Sequence, residues 1–172
     1  MNYHNITYDD MNNGDGLRVV LWISGCSHHC KNCQNYQTWD KNSGIKFDSD
    51  AVDELDYWMK KDYISGITFS GGDPLYKYNL NTVLNIIKDY RANFSTKTIW
   101  LYSGYTWEEI FDKLDDDSLM RQEIIKRCDV FVDGEYIDEE RDISLKWRGS
   151  PNQRVIDVKK TLVSGNIVLH CN

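Results

Sequence analysis

Four short apolar runs, at residues 18–24, 66–70, 98–103 and 129–133, each lead straight into a polar or glycine-rich loop. Between them lie stretches with apolar residues at helical spacing, and strands alternating with helices build βαβ units around a mainly parallel sheet. A full eight-unit barrel takes ~250 residues; this chain has 172. It has room for about five to six units. The sequence therefore predicts an α/β fold, an incomplete (βα) barrel formed by a single domain over residues 1–172 and open on one side.

The helices are legible from caps and periodicity. Asp48 or Ser49 caps a helix through about Lys61, with Val52, Leu55 and Met59 on one face. A second, from about 79 to 91, carries Leu80, Val83, Leu84, Ile87 and Tyr90 at helical spacing. Thr106-Trp-Glu-Glu109 is a capping box that opens a short helix to about Leu114, and a further helix covers 118–127. The acidic stretch Asp115–Asp117 reads as a solvated loop, and the 13% aromatic content, six tryptophans included, reads mostly as core.

In parallel α/β folds ligands bind beyond the carboxyl ends of the strands. Four loops are expected to converge there: the loop at 25–37, Gly71-Gly-Asp-Pro74, Ser103-Gly-Tyr105 and Asp133-Gly-Glu135. The first holds Cys26, Cys30 and Cys33 with the spacing C-x3-C-x2-C. Cysteine thiolates at short spacing bind iron–sulfur clusters. Three of them leave one iron of a four-iron cluster without a protein ligand, and an open coordination position separates a reactive metal site from a sealed structural one. Zinc stays open as an alternative, with His28 and His29 in the loop and His170-Cys171 as a second pair, although both loop histidines read more simply as solvent-exposed. Cys128, before Val130-Phe-Val132, reads as a small buried hydrophobe, and Cys171 as a thiol in a frayed tail.

The net charge of −7, without a basic tract, argues against binding a nucleic-acid backbone. No signal peptide opens the sequence and no apolar run approaches the ~20 residues that span a bilayer. Five cysteines without a secretory signal are not a disulfide framework. The expectation is a soluble cytoplasmic protein, with no membrane partner.

The C-x3-C-x2-C loop after the first strand and the Gly-Gly-Asp-Pro loop after the second resemble the radical S-adenosylmethionine (SAM) superfamily. The similarity is closer to one family within it, the activating enzymes of anaerobic (class III) ribonucleoside-triphosphate reductases. It rests on Met1-Asn-Tyr-His4, Asn13-Gly-Asp-Gly-Leu-Arg18, Leu21-Trp-Ile-Ser-Gly-Cys26, Cys33-Gln-Asn35, Thr38-Trp39, Asn42-Ser-Gly44, Ser70-Gly-Gly-Asp-Pro-Leu75, Ile99-Trp100, Ser103-Gly-Tyr105 and Val132-Asp-Gly134. The segment Trp147-Arg-Gly-Ser-Pro-Asn-Gln153 marks this family rather than the superfamily.

The resemblance implies a [4Fe-4S] cluster on Cys26, Cys30 and Cys33, with the amino and carboxylate groups of SAM on the fourth iron. One electron, from a flavodoxin-like donor, then cleaves SAM to methionine and a 5′-deoxyadenosyl radical, which takes a hydrogen from a glycine of the reductase's large subunit. It further implies that Gly71 and Gly72 let the backbone approach the SAM amino group, and that Asp73 orients that group or the loop. The backbone of Asn32, Cys33 and Gln34 faces the adenine, with Asn32 standing where the superfamily prefers an aromatic residue; Ser103 and Gly104 contact the carboxylate or ribose. The C-terminal segment 141–172 is the part expected to face the partner, and the open side of the barrel to admit its glycine-bearing loop. Two roles stay open for several residues: Arg18 as a partner for an acid near the cluster or as a surface residue, Trp147 and Arg148 as partner contacts or as packing. Two other functions also remain at this point, a radical SAM enzyme acting on a small nucleoside-like metabolite and a non-catalytic zinc-binding interaction module.

Overall fold

The computed structural model describes residues 1–171. Seven strands form one sheet in the order β3-β1-β2-β4-β5-β6-β7. Its centre is parallel: β2 (Leu17–Ile23), β4 (Ile64–Gly71), β5 (Thr98–Tyr102) and β6 (Val130–Asp133). Strands β1 (Asn2–Asp10), β3 (Ile45–Lys46) and β7 (Arg154–Asp157) flank it antiparallel. The four central strands are those expected from the apolar runs, but the chain does not continue into five or six parallel units. Its remaining length goes into the antiparallel edges and a long connection between β6 and β7.

Register sorts the side chains between two faces. Leu21, Phe69, Leu101 and Phe131 lie side by side across the parallel strands. They share one core with Ala51, Leu55 and Met59 of α1 (Ser49–Met59), with Leu80, Val83 and Ile87 of α2 (Leu80–Asn93), and with Ile124 and Ile125 of α4 (Asp116–Ile125). Helices cover this face, as apolar stripes at 3.6-residue spacing require. Asp48 caps α1 by accepting from the Ala51 amide, and Ala51 rather than Val52 completes the buried stripe; Val52 is exposed. The capping box at Thr106 and Glu109 opens α3 (Trp107–Phe111). Asp115 is not part of a loose acidic loop, since its carboxylate accepts from the Ser118 amide and caps α4.

The other face carries Val20, Thr68, Trp100 and Val130 in one row. Loops, not helices, close it. Trp147 and Cys171 pack on a second, smaller core of Trp100, Val130, Val132 and Val155, so Cys171 is anchored rather than frayed. The final helix α5 (Val158–Ser164) follows β7 directly. Arg18 lies fully buried on this face. Its guanidinium donates to the hydroxyls of Thr68 (2.7 Å) and Thr98 (2.9 Å) and to the carbonyls of Ile67, Thr98 and Asp15. Neither role expected of Arg18 holds: its partners are hydroxyls and carbonyls rather than a carboxylate, because a buried cation needs every donor satisfied. Burial lowers its pKa to about 10.

Cys128 is buried, as expected. The aromatic residues are less uniformly internal than composition suggests, for Tyr8, Tyr36, Tyr57, Tyr63 and Tyr78 are exposed. Among the described residues no helix is long and apolar enough to cross a membrane.

Candidate metal and cofactor centre

The loop after β2 is closed at its base by two backbone hydrogen bonds, Gly25 to the Thr38 carbonyl (2.7 Å) and Cys26 to the Trp39 carbonyl (3.0 Å). Within it His29 and Asn32, one in each interval between cysteines, both adopt φ of +52°. Left-handed backbone at a non-glycine residue costs of order 1–3 kcal/mol and collects at functional sites. These bends fold eight residues back on themselves. Cys26, Cys30 and Cys33 are free, half-buried thiols that line one cavity of about 730 Å³. Among the described residues no three His, Cys, Asp or Glu side chains converge closely enough to hold a single metal ion. A four-iron cluster, which takes its cysteines on three different irons, needs no such convergence.

The second wall is the loop after β4. The Gly72 amide donates to the Ile23 carbonyl (2.7 Å) and the Asp73 amide to the Gly25 carbonyl (2.8 Å). A Cβ on Gly72 would stand 2.6 Å from the Gly25 oxygen, so glycine here seats one loop directly on the other. Asp73 is 1% exposed, and its carboxylate ties three loops together. It accepts from the Leu75 amide (2.7 Å), the Ser103 hydroxyl (2.9 Å) and the Gly104 amide (3.2 Å), and it meets His28 Nε2 at 2.9 Å. That last contact lies off the N–H axis, an ion pair rather than an aligned hydrogen bond.

His28 is held tightly. Nδ1 contacts Glu135 at 2.7 Å, the ring stands edge-on to Tyr105, and a Cβ on Gly104 would collide with it. Burial alone would lower its pKa, but Asp73 and Glu135 outweigh that and push it up to about 9. Burial, then the nearby Asp73 charge, pushes the Cys26 thiol up to about 11, and burial raises Cys30 too. A metal that binds the Cys26 and Cys30 sulfurs must displace their protons.

The third wall is the connection from β6 to β7. Glu135, Asp138 and Glu139 reach back to His28, Asn32 and Lys31 of the cysteine loop, and Trp147 and Arg148 also line the cavity. Six buried side-chain polar atoms lack a hydrogen-bond partner among the described residues: His28 Nε2, Trp39 Nε1, Tyr90 Oη, Tyr102 Oη, Trp147 Nε1 and Arg148 Nε. All but Tyr90 belong to residues that line this cavity. Buried donors are normally paired, so the cavity fits an acceptor-rich occupant.

The residues expected to hold the cluster and SAM, Cys26, Cys30, Asn32, Cys33, Gln34, Gly71, Gly72, Asp73, Ser103 and Gly104, all line this one cavity. His170 does not join them. It bonds Asp15 (2.6 Å) in a separate hollow at the opposite ends of the strands, beside Thr98 and Asp129. Sequence reasoning missed His28 as a buried linker. It also missed Asn79, which is 1% exposed and donates to the carbonyls of Ser24 and Asp73; its place just before α2 was the available signal.

Residues 12–156 match the family model described as a 4Fe-4S single cluster domain. Three relatives share the name anaerobic ribonucleoside-triphosphate reductase-activating protein. That of enterobacteria phage T4 is 41% identical over 157 residues, 90% of this chain and 93% of the relative. That of Vibrio cholerae is 40% identical over 155 residues, covering 89% and 96%. That of Escherichia coli K12 is 38% identical over 157 residues, covering 90% and 97%. The chain belongs to this family of reductase-activating proteins. For a member of that family the cavity wall built by Trp147–Gln153 falls inside the matched region, together with all three loop cysteines.

Proposed function

We propose that this protein is an iron–sulfur enzyme that activates the anaerobic ribonucleoside-triphosphate reductase by using SAM. The convergence of three half-buried thiols with the Gly71–Asp73 and Ser103–Gly104 loops on one cavity carries the reading. Cys26, Cys30 and Cys33 hold a [4Fe-4S] cluster and leave its fourth iron to SAM. Gly71, Gly72, Ser103 and Gly104 border the methionine end. The main chain of Asn32, Cys33 and Gln34 borders the adenine. When bound, cluster and cofactor supply the one-electron reductive cleavage from which the reductase's glycyl radical is made, the electron coming from a flavodoxin-like donor.

The chain's own residues bind, orient and enclose. Asp73 acts as the fastener: its carboxylate is consumed by Leu75, Ser103, Gly104 and His28, so it orients the loop rather than the SAM ammonium. The sheet face that lacks helices is the inner side of a partial, radical-SAM-type barrel, and the β6–β7 connection shields it from water. Anaerobic reconstitution with iron and sulfide, reduction by dithionite and chromatography for 5′-deoxyadenosine test this reading. Wild-type protein is expected to form the product and Cys30→Ala to form none. Stoichiometric zinc without iron, and no product, would overturn it; turnover with a soluble metabolite and no reductase would replace the substrate.

A further inference from the structure

We infer that Trp147, Arg148 and Tyr102 form a hydrogen-bonding wall for the main chain of the reductase segment that enters the cavity. The inference rests on the function proposed above and names the part of the site that receives the protein substrate. Trp147 Nε1, Arg148 Nε and Tyr102 Oη are buried without partners, and all three residues line one cavity. Two of the three can only donate, and the third donates as well as accepts. Such a wall fits carbonyl oxygens. A glycine target offers no side chain to recognise, so selection of its segment falls to backbone hydrogen bonds.

The wall is constructed rather than incidental. Gln153 Oε1 accepts from the amides of Gly149 (2.9 Å) and Ser150 (3.3 Å), while its Nε2 donates to the Gly134 carbonyl (3.0 Å). Ser150 Oγ accepts from the Ile137 amide, and Arg148 Nη1 donates to the Gln153 carbonyl (3.1 Å). On that pedestal Trp147 is held at φ +63°, a costly conformation for a bulky residue. Its ring meets Trp100 edge-on at 5.8 Å.

Within this wall Tyr102 adjoins Ser103 at the methionine end, whereas Trp147 lies further along the strands. Trp100 precedes Ser103 by three residues, about 10 Å along an extended strand, so Trp147 packs well below the loops that meet the cysteines. Around the cavity mouth Arg141 and Ile143 are exposed, Ile143 to 88%, which leaves this side open to a protein segment.

Trp147→Phe and Tyr102→Phe keep the rings and delete the donors. Because no group among the described residues pairs with those donors, both variants should melt at or above the wild-type temperature; residues that merely pack the fold through these groups would melt lower. The purified anaerobic reductase is then titrated into cluster-free protein. The double variant is expected to bind about tenfold more weakly, the worth of roughly two lost hydrogen bonds. After reconstitution its glycyl-radical yield should fall by more than its SAM affinity or its reductase-free 5′-deoxyadenosine formation. Unchanged reductase affinity would overturn the inference, as would loss of SAM affinity in step with it. A wild type that makes no 5′-deoxyadenosine would instead bring down the proposed function itself.

Discussion

Asp73→Asn isolates the residue that joins the three loops of the site. Asparagine keeps an oxygen for the Leu75 amide but places an NH2 where the carboxylate now faces the Gly104 amide and His28 Nε2. A donor–donor collision at the Gly104 amide replaces a charge-assisted hydrogen bond, and His28 loses its ion pair. Asp73 is 1% exposed and His28 10%, and removing one partner of a buried pair costs about 3–5 kcal/mol. The hydrogen bonds to the carboxylate, each worth about 1.5–3 kcal/mol, overlap with that figure and are not added to it. At about 2–4 °C per kcal/mol for a protein of this size, the melting temperature should fall by roughly 6–20 °C. Thermal unfolding of the cluster-free protein at pH 7, followed by circular dichroism with thiols kept reduced, measures it. Glu139→Gln is the comparison, because that carboxylate and its partner Lys31 are both largely solvent-exposed; its melting temperature should stay at the wild-type value. A loss of under about 3 °C for Asp73→Asn would refute the fastening role.

Three further outcomes follow from the same geometry. Gly72→Ala drives a methyl against the Gly25 carbonyl and should cost about 1–3 kcal/mol by urea unfolding, with iron uptake reduced; a fully stable, fully loaded variant would show that the two loops do not need this contact. Arg18→Met removes a buried cation and orphans the hydroxyls and carbonyls around it, so its urea midpoint should drop by the equivalent of about 1–3 kcal/mol, and an unchanged midpoint would contradict the assigned network. Burial would raise the Asp129 pKa, but Lys159 and Arg91 more than offset it and hold it below the usual carboxylate range. Its stabilisation is therefore complete above the unfolded value near ~3.9 and is lost as pH falls through the lower folded value. The urea midpoint should decline below about pH 4, and Asp129→Asn should make that acid limb shallower; an unchanged limb in the variant would refute the assignment.

The central strands and the helices on their covered face were readable because their signals are local. Phe69 and Leu101 sit in short apolar runs, and Asp48, Thr106 and Glu109 mark helix starts within four residues. Strand β1 escaped notice because only Tyr3 and Ile6 are buried along its nine residues and irregular pairing breaks the alternation. Strand β7 has four residues, too few for a periodic pattern. Val52 was misplaced because two apolar residues can satisfy neighbouring positions of a stripe, and only the packing of Ala51 decides between them. In the site, clustered cysteines and paired glycines announced themselves. His28 did not, since its partner Glu135 lies 107 residues away. The wall from Glu135 to Gln153 carries no periodicity at all, and its place over the cavity exists only in three dimensions.

The most direct test of the proposed activity is electron paramagnetic resonance on the reductase after anaerobic incubation with this protein, reconstituted and reduced, and with SAM. A glycyl-radical signal on the reductase is predicted with wild-type protein and SAM, and none with Cys26→Ala, Cys30→Ala or Cys33→Ala or when SAM is omitted. A signal that survives loss of any one of these cysteines, or that forms without SAM, would contradict a three-cysteine cluster with SAM at its open iron.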